Sequence, residues 1–149
     1  MLSKKEEEAV KRIGRMLDST QLKVLEDIKN RVKHSMERNQ TLFSNVSELF
    51  KLDKRVGMMF LKRISEKTSY APYYSTLTPA IKRLLEISNK RDWIDIIDEC
   101  ISVMEENLIF KQDFEYVKKN LPKIIQLVEE EGLDGFKKGI EESAGKWRN

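Results

Sequence analysis

Apolar residues recur every three or four positions along nearly the whole chain, and this spacing most constrains the fold. The series Leu22, Leu25, Ile28, Val32 and Met36, for example, follows one face of a helix. No stretch alternates as a strand, and only six Gly and three Pro occur in 149 residues. The sequence therefore predicts an all-α, antiparallel bundle of about six to eight helices. Its length predicts a single domain over 1–149, with frayed ends at 1–4 and 145–149.

Capping residues predict where the first helices begin. Ser3 and Glu6 have the spacing of a capping box. Asp18 offers a fresh cap or a brief kink, which leaves open whether residues 4–38 form one helix or two. Asp53 is expected to cap a helix that ends near Lys67. In that helix Met58 and Met59 would widen the apolar band, so we expect it to lie centrally, buried on more than one side.

An acid-free stretch with two prolines, KTSYAPYYSTLTP at 67–79, interrupts this pattern. Pro72 is expected to exclude helix locally, whereas Thr78 and Pro79 predict a helix start. Further on, Asp92 and Asp113 are each predicted to cap a helix, and Gly132 is predicted to end one in a left-handed conformation.

Charge is distributed unevenly along the chain. Residues 51–91 contain ten Lys/Arg and three Asp/Glu, a net charge of +7. Residues 92–149 contain eight Lys/Arg and fourteen Asp/Glu, a net charge of −6, and 1–50 carry +2. The basic third predicts a site for a polyanion, since Lys and Arg neutralise phosphates and exposed tyrosines stack on unpaired bases. Its candidate residues are Lys51, Lys54, Arg55, Lys62, Arg63, Lys67, Tyr70, Tyr73, Tyr74, Lys82 and Arg83, with Lys90 and Arg91 beside them.

A structural interpretation competes with this hypothesis. The lysines could form solvated helix faces, and the tyrosines could close the end of the bundle with their hydroxyls in water. The basic third could also face the acidic third, within one molecule or between subunits. Whether Tyr70, Tyr73 and Tyr74 are buried or exposed decides between a lid and a stacking platform.

Acidic residues near the start of the predicted helix at Asp92 are the candidates for a metal site. Asp95, Asp98 and Glu99 share one helical face and could hold Mg²⁺. Against this, Asp92 and Asp95 already suit a helix start, where they complement the helix dipole.

Three isolated residues complete the set of candidates. His34 lies among cations and has no partner of catalytic geometry. Cys100 falls on an apolar face and is expected to be a core residue. Trp147, near the end of the chain, either packs back onto the bundle or anchors a partner.

The lone cysteine excludes an internal disulfide, and no apolar run approaches a membrane span. With a first segment too polar for a signal peptide, we expect a cytoplasmic protein, and the abundance of Lys, Glu and Ile resembles thermophile composition. No catalytic residue and no cofactor is predicted. The leading hypothesis is a binding or assembly protein with a protein partner or a second copy of itself. The alternatives are binding of RNA or single-stranded nucleic acid through 51–91, and an Mg²⁺-dependent phosphohydrolase.

Overall fold

The computed structural model describes residues 2–33 and 39–145, and these form ten α-helices and no strand. The predicted all-α helical bundle is confirmed. The described residues contain more helices than the expected six to eight. Their bounds are α1 Lys4–Gly14, α2 Ser19–Val32, α3 Asn39–Leu52, α4 Lys54–Ser65, α5 Ala71–Ser75, α6 Thr78–Glu86, α7 Trp93–Asn107, α8 Lys111–Lys119, α9 Leu121–Glu131 and α10 Leu133–Ser143.

The chain divides into two compact units, residues 1–78 and 79–149. Helices α1 to α5 belong to the first unit and α7 to α10 to the second, while α6 begins at the last residue of the first unit. That the two units act as a single domain stays a prediction.

In the first unit, α3 packs against α1, α4 and α5, and α4 also packs against α2. Phe43 of α3 and Phe60 of α4 are completely buried. A Cβ placed on Gly57 would lie 2.6 Å from the Phe50 ring, so glycine lets α4 approach α3 closely. Burying large apolar side chains of this kind contributes roughly 1.5–3 kcal/mol each.

Capping hydrogen bonds from side chains mark the starts of the first two helices. The Ser3–Glu6 capping box is present, with the Glu6 N–H 3.2 Å from the Ser3 hydroxyl. Asp18 accepts from the Gln21 N–H at 2.8 Å and starts α2, so the described part of 4–38 contains two helices. Leu22, expected on the buried face, is instead 38% exposed. Met36 lies outside the described residues.

The expectation that Pro72 excludes helix is wrong. Pro72 lies in the first turn of α5, where a backbone N–H would have no helical partner and its loss costs nothing. The helix start at Thr78 and Pro79 is confirmed, with Thr78 as the first residue of α6.

In the second unit, α10 packs against α7, α8 and α9, and Phe136 and Ile140 are its fully buried anchors. Helix α9 ends as predicted before Gly132, whose φ of 62° favours glycine. Trp93 is buried and donates its indole N–H to the Leu85 carbonyl at 2.8 Å, which joins α7 to the end of α6.

Asp92 occupies the N-cap position of α7, as predicted, but its side chain makes no capping hydrogen bond. A 3₁₀ turn at Lys90–Asp92 precedes α7, and Asn89 accepts a hydrogen bond from the Arg91 N–H of that turn at 3.2 Å. The predicted cap at Asp113 is wrong. Asp113 lies inside the first turn of α8, and its carboxylate reaches back to the N–H groups of Ile109 at 3.0 Å and Phe110 at 2.9 Å.

Candidate interaction surface

Helix α4 is held at its start by Asp53, as predicted. The Asp53 carboxylate accepts a hydrogen bond from the Arg55 N–H at 2.7 Å. Partial burial raises the pKa of Asp53, but hydrogen bonds from the Arg55 side chain and backbone, with the Arg55 charge, lower it more. The pKa therefore lies below its ordinary value, and the cap is ionised throughout the neutral range.

The outward side of α4 combines cations with methionines. Lys54, Arg55 and Lys62 are exposed, and Met58 and Met59 are half-buried. Since a helix turns every 3.6 residues, Lys54, Met58 and Lys62 follow one another along α4, and Arg55 and Met59 run beside them. We call these five residues the basic methionine face. Met58 and Met59 lie beside the buried Val56, Phe60 and Ile64, and α4 packs against α2, α3 and α5, which agrees with the prediction that the methionines widen the buried band.

The positive charge of this face is only partly compensated. Helix α4 contains no carboxylate at all. Arg55 pairs with Asp53, at 3.4 Å between Nη2 and Oδ2. No ion pair joins Lys54 or Lys62 to any residue in the ranges that the structure describes. Within the described residues, these two exposed ammonium groups are therefore not neutralised by an ion pair.

The other predicted cations of the first unit differ in their exposure and in their ion pairs. Lys51, at the end of α3, is exposed and pairs with Glu48 at 3.0 Å. Arg63 is half-buried on α4, and Lys67 is exposed just beyond it. The set from Lys51 to Lys67 thus lies on α3 and α4 or directly after α4, as its sequence spacing indicates.

The remaining predicted cations belong to the second unit, and three of them have an acidic or an aromatic partner there. Arg83 lies 3.1 Å from the Glu129 carboxylate. The Lys90 ammonium lies 5.8 Å from the centre of the Trp93 ring. Arg91 lies 3.9 Å from Asp92, and Lys82 is half-buried on α6. Arg83, Lys90 and Arg91 are engaged within their own unit, so we define the candidate surface on α4.

The tyrosines of the acid-free stretch are poorly placed to stack on bases. Tyr74 is 5% exposed. Tyr70 and Tyr73 are half-buried and lie against each other, with ring centres 6.1 Å apart and planes tilted by 50°. Because a stacking platform needs open ring faces, this arrangement matches a lid better than a platform.

The acidic candidates for a metal site all lie on α7. Asp95, Asp98 and Glu99 are exposed, and Glu99 is 3.6 Å from Lys137 of α10. Within 2–33 and 39–145, no group of three or more His, Cys, Asp or Glu side chains is placed to hold a metal ion. These carboxylates therefore form an acidic helix face and not a coordination cage.

The buried Glu6, Asp113 and Cys100 have structural roles. Glu6 closes the capping box of α1. The fully buried Asp113 accepts from two N–H groups ahead of α8 and, at 2.9 Å, from Gly145 N–H. Burial, reinforced by the Glu99 charge, raises the pKa of the Cys100 thiol well above its ordinary value. A thiol held protonated is a poor nucleophile.

One further surface escaped the sequence analysis. An open groove of about 480 Å³ is lined by Lys5, Glu8, Arg12, Arg15 and Ser44, from α1 and α3. The sequence indicates the basic side of this groove, since the cations recur on one side of α1. It does not indicate the contribution of α3, which depends on how the two helices pack. The groove adds to a formal charge of +6 for residues 1–78, against −3 for 79–149.

Comparison of the chain with protein-family models, with curated proteins and with solved structures finds no match. No helix in the described part of the chain is long and apolar enough to cross a membrane. His34 and Trp147 lie outside the described residues, so the predicted partner anchor at Trp147 stays a prediction.

Proposed function

We propose that this protein is a binding or assembly protein that takes an acidic protein surface on the basic methionine face of α4. The observation that carries the proposal is the pairing of two exposed lysines, without an ion pair among the described residues, with two adjacent, half-buried methionines on one helix. Lysines attract and orient an acidic partner, and the flexible thioether side chains then pack against its apolar atoms.

A protein partner is favoured over single-stranded nucleic acid by what lies between the cations. Nucleic-acid grooves interleave their cations with aromatic rings, on which the bases stack. On α4 the interleaved side chains are methionines, a residue enriched in protein interfaces. The tyrosines, which would have to supply the stacking, are buried or lean on each other.

The proposal is tested with two labelled probes: a short helical peptide with glutamates beside leucines, and an oligothymidylate. Fluorescence anisotropy at low and physiological salt gives the affinity of the protein for each. We expect the peptide to bind more tightly, with an affinity that weakens as salt screens the exposed charges.

The variant K54E/K62E should weaken peptide binding at least about tenfold, because each exposed contact contributes up to about 1 kcal/mol and reversal turns attraction into repulsion. The matched control is K23E/K118E, which changes the net charge equally at two exposed lysines on α2 and α8. Equal loss in both variants would show a general charge effect and refute the α4 site.

Replacing the methionines separates the two classes of partner. M58Q/M59Q keeps the length of both side chains and the charge of the helix, so peptide binding should fall while any binding of oligothymidylate is unchanged. Tight binding of oligothymidylate, lost in K54E/K62E and indifferent to the methionines, would instead support the nucleic-acid alternative.

A further inference from the structure

Helix α7 has the opposite charge pattern to α4. Its fifteen residues include five carboxylates and no Lys or Arg. Asp95, Glu99 and Glu106 are exposed and lie along one side of the helix, with the small, half-buried Ser102 between the last two. Asp98 and Glu105 flank this line, which we call the acidic face of α7.

The ion pair between Glu99 and Lys137 leaves this line of carboxylates strongly acidic. Glu99 lies 3.6 Å from Lys137, in a pair whose side chains are 54% and 39% exposed. An exposed pair of this kind contributes at most about 1 kcal/mol and exchanges readily with other ions. No ion pair to a described residue holds Asp95 or Glu106.

We propose that the occupant of the basic methionine face is the acidic face of α7 in a second copy of this chain. This inference rests on the proposed function and names its partner. Charge complementarity supports it: α4 carries cations without a carboxylate, and α7 carries carboxylates without a cation. No other partner needs to be assumed for the α4 lysines to meet carboxylates.

The dimensions of the two faces agree with such a contact. At 1.5 Å per residue, Lys54 and Lys62 are about 12 Å apart along α4, and Asp95 and Glu106 are about 16 Å apart along α7. The acidic line therefore spans both lysines at once. Ser102 leaves room between Glu99 and Glu106, where a methionine of α4 can pack.

The contact joins two different surfaces, so it is heterologous. Each added copy leaves one basic methionine face and one acidic face open, and growth continues until a ring closes. Because the attraction is between exposed charges, salt must dissolve the assembly. The expected behaviour is a mass that rises with protein concentration at low salt and returns to the monomer at high salt.

A charge-swap experiment on the whole protein tests this inference. The variants are K54E/K62E, which makes α4 acidic, and D95K/E106K, which makes α7 basic. Each variant alone sets like charges against like, so we expect each to sediment as a monomer at low salt. Mixed in equal amounts, the two restore both pairings and should assemble as the wild-type protein does.

Analytical ultracentrifugation of the four samples decides the matter, with circular dichroism to show that both variants are folded. A wild-type protein that stays monomeric at low salt overturns the inference, as does assembly by either variant alone or failure of the mixture. The peptide titration described above is independent of these results. If peptide binding still depends on Lys54 and Lys62 in a strictly monomeric protein, the proposed function stands and only the second copy is refuted.

Discussion

The packing of α10 on α9 gives the sharpest prediction about stability, at Gly135. A Cβ built on this glycine would lie 2.0 Å from the Leu127 carbonyl oxygen of α9. Ordinary contact requires 3.4 Å, so Gly135→Ala would have to move the two backbones apart by about 1.4 Å. The obstructing atom belongs to the backbone and cannot rotate away, as the end of a side chain could.

The expected cost follows from these distances. Overpacking in a core typically costs about 1–3 kcal/mol, and a rigid backbone neighbour places this site at the upper end. Alanine recovers about 1 kcal/mol through its higher helix propensity. We therefore expect Gly135→Ala to lower the free energy of unfolding by about 2 kcal/mol, or roughly 4–8 °C in Tm for a chain of this size.

Urea denaturation followed by circular dichroism measures the free energy of unfolding of Gly135→Ala. Two other glycines serve as controls in this assay. At Gly14 an added Cβ meets Leu22 at an ordinary 3.4 Å, so Gly14→Ala should be neutral or stabilise by up to about 1 kcal/mol. At Gly132 there is open space but φ is positive, so Gly132→Ala isolates backbone strain of about 1–2 kcal/mol. If Gly135→Ala proves as harmless as Gly14→Ala, the close approach of α9 and α10 is refuted.

Three further predictions concern single polar groups. Asp113→Ala should lower the free energy of unfolding by about 3 kcal/mol in urea denaturation, because it leaves three backbone N–H groups without their carboxylate; a loss below about 1 kcal/mol would contradict that role. Since the folded pKa of Asp53 is lowered, its contribution is complete above the unfolded value near 4 and is lost as pH falls through the folded pKa. Asp53→Asn should therefore destabilise the protein at pH 7 and much less at pH 2, and an equal effect at both would refute the ionised cap. Cys100 should resist iodoacetamide until the protein unfolds, since burial raises its pKa; fast labelling of the native protein would contradict this.

Features set by residues a few positions apart could be predicted from the sequence. The capping box of Ser3 and Glu6 and the cap at Asp53 are confirmed, and of the two possibilities left open at Asp18 the structure has the cap. Each depends on a side chain reaching an N–H within the next turn, which sequence spacing determines. The same holds for the end of α9 at Gly132, where the backbone requirement belongs to one residue.

Features that depend on the surrounding fold could not be predicted in this way. Pro72 was expected to break a helix, but a proline in a first turn and one in an interior look alike until the start of α5 is known. The sequence predicts Asp113 as a cap, but its carboxylate also accepts from the Gly145 N–H, thirty-two residues away. No local pattern reports such a partner.

The candidate surface could be predicted only in part from the sequence. The cations of α4 and the lack of acids among them can be read directly from the sequence. The partial exposure of Met58 and Met59 cannot, because apolar residues are expected inside and only the packing of α4 against α2, α3 and α5 decides how much of each side chain stays accessible. The burial of the tyrosines could not be predicted either, since it depends on how α5 packs against α3 and α4.

The most direct measurement of the central claim is methyl NMR of the protein labelled with ¹³C at its methionines, during titration with the acidic helical peptide. The account predicts that the methyl signals of Met58 and Met59 move first and furthest. The signal of Met104, buried on α7, is the internal control and should stay in place. Unchanged Met58 and Met59 signals at a peptide concentration that anisotropy shows to be saturating would contradict the claim that α4 is the binding surface.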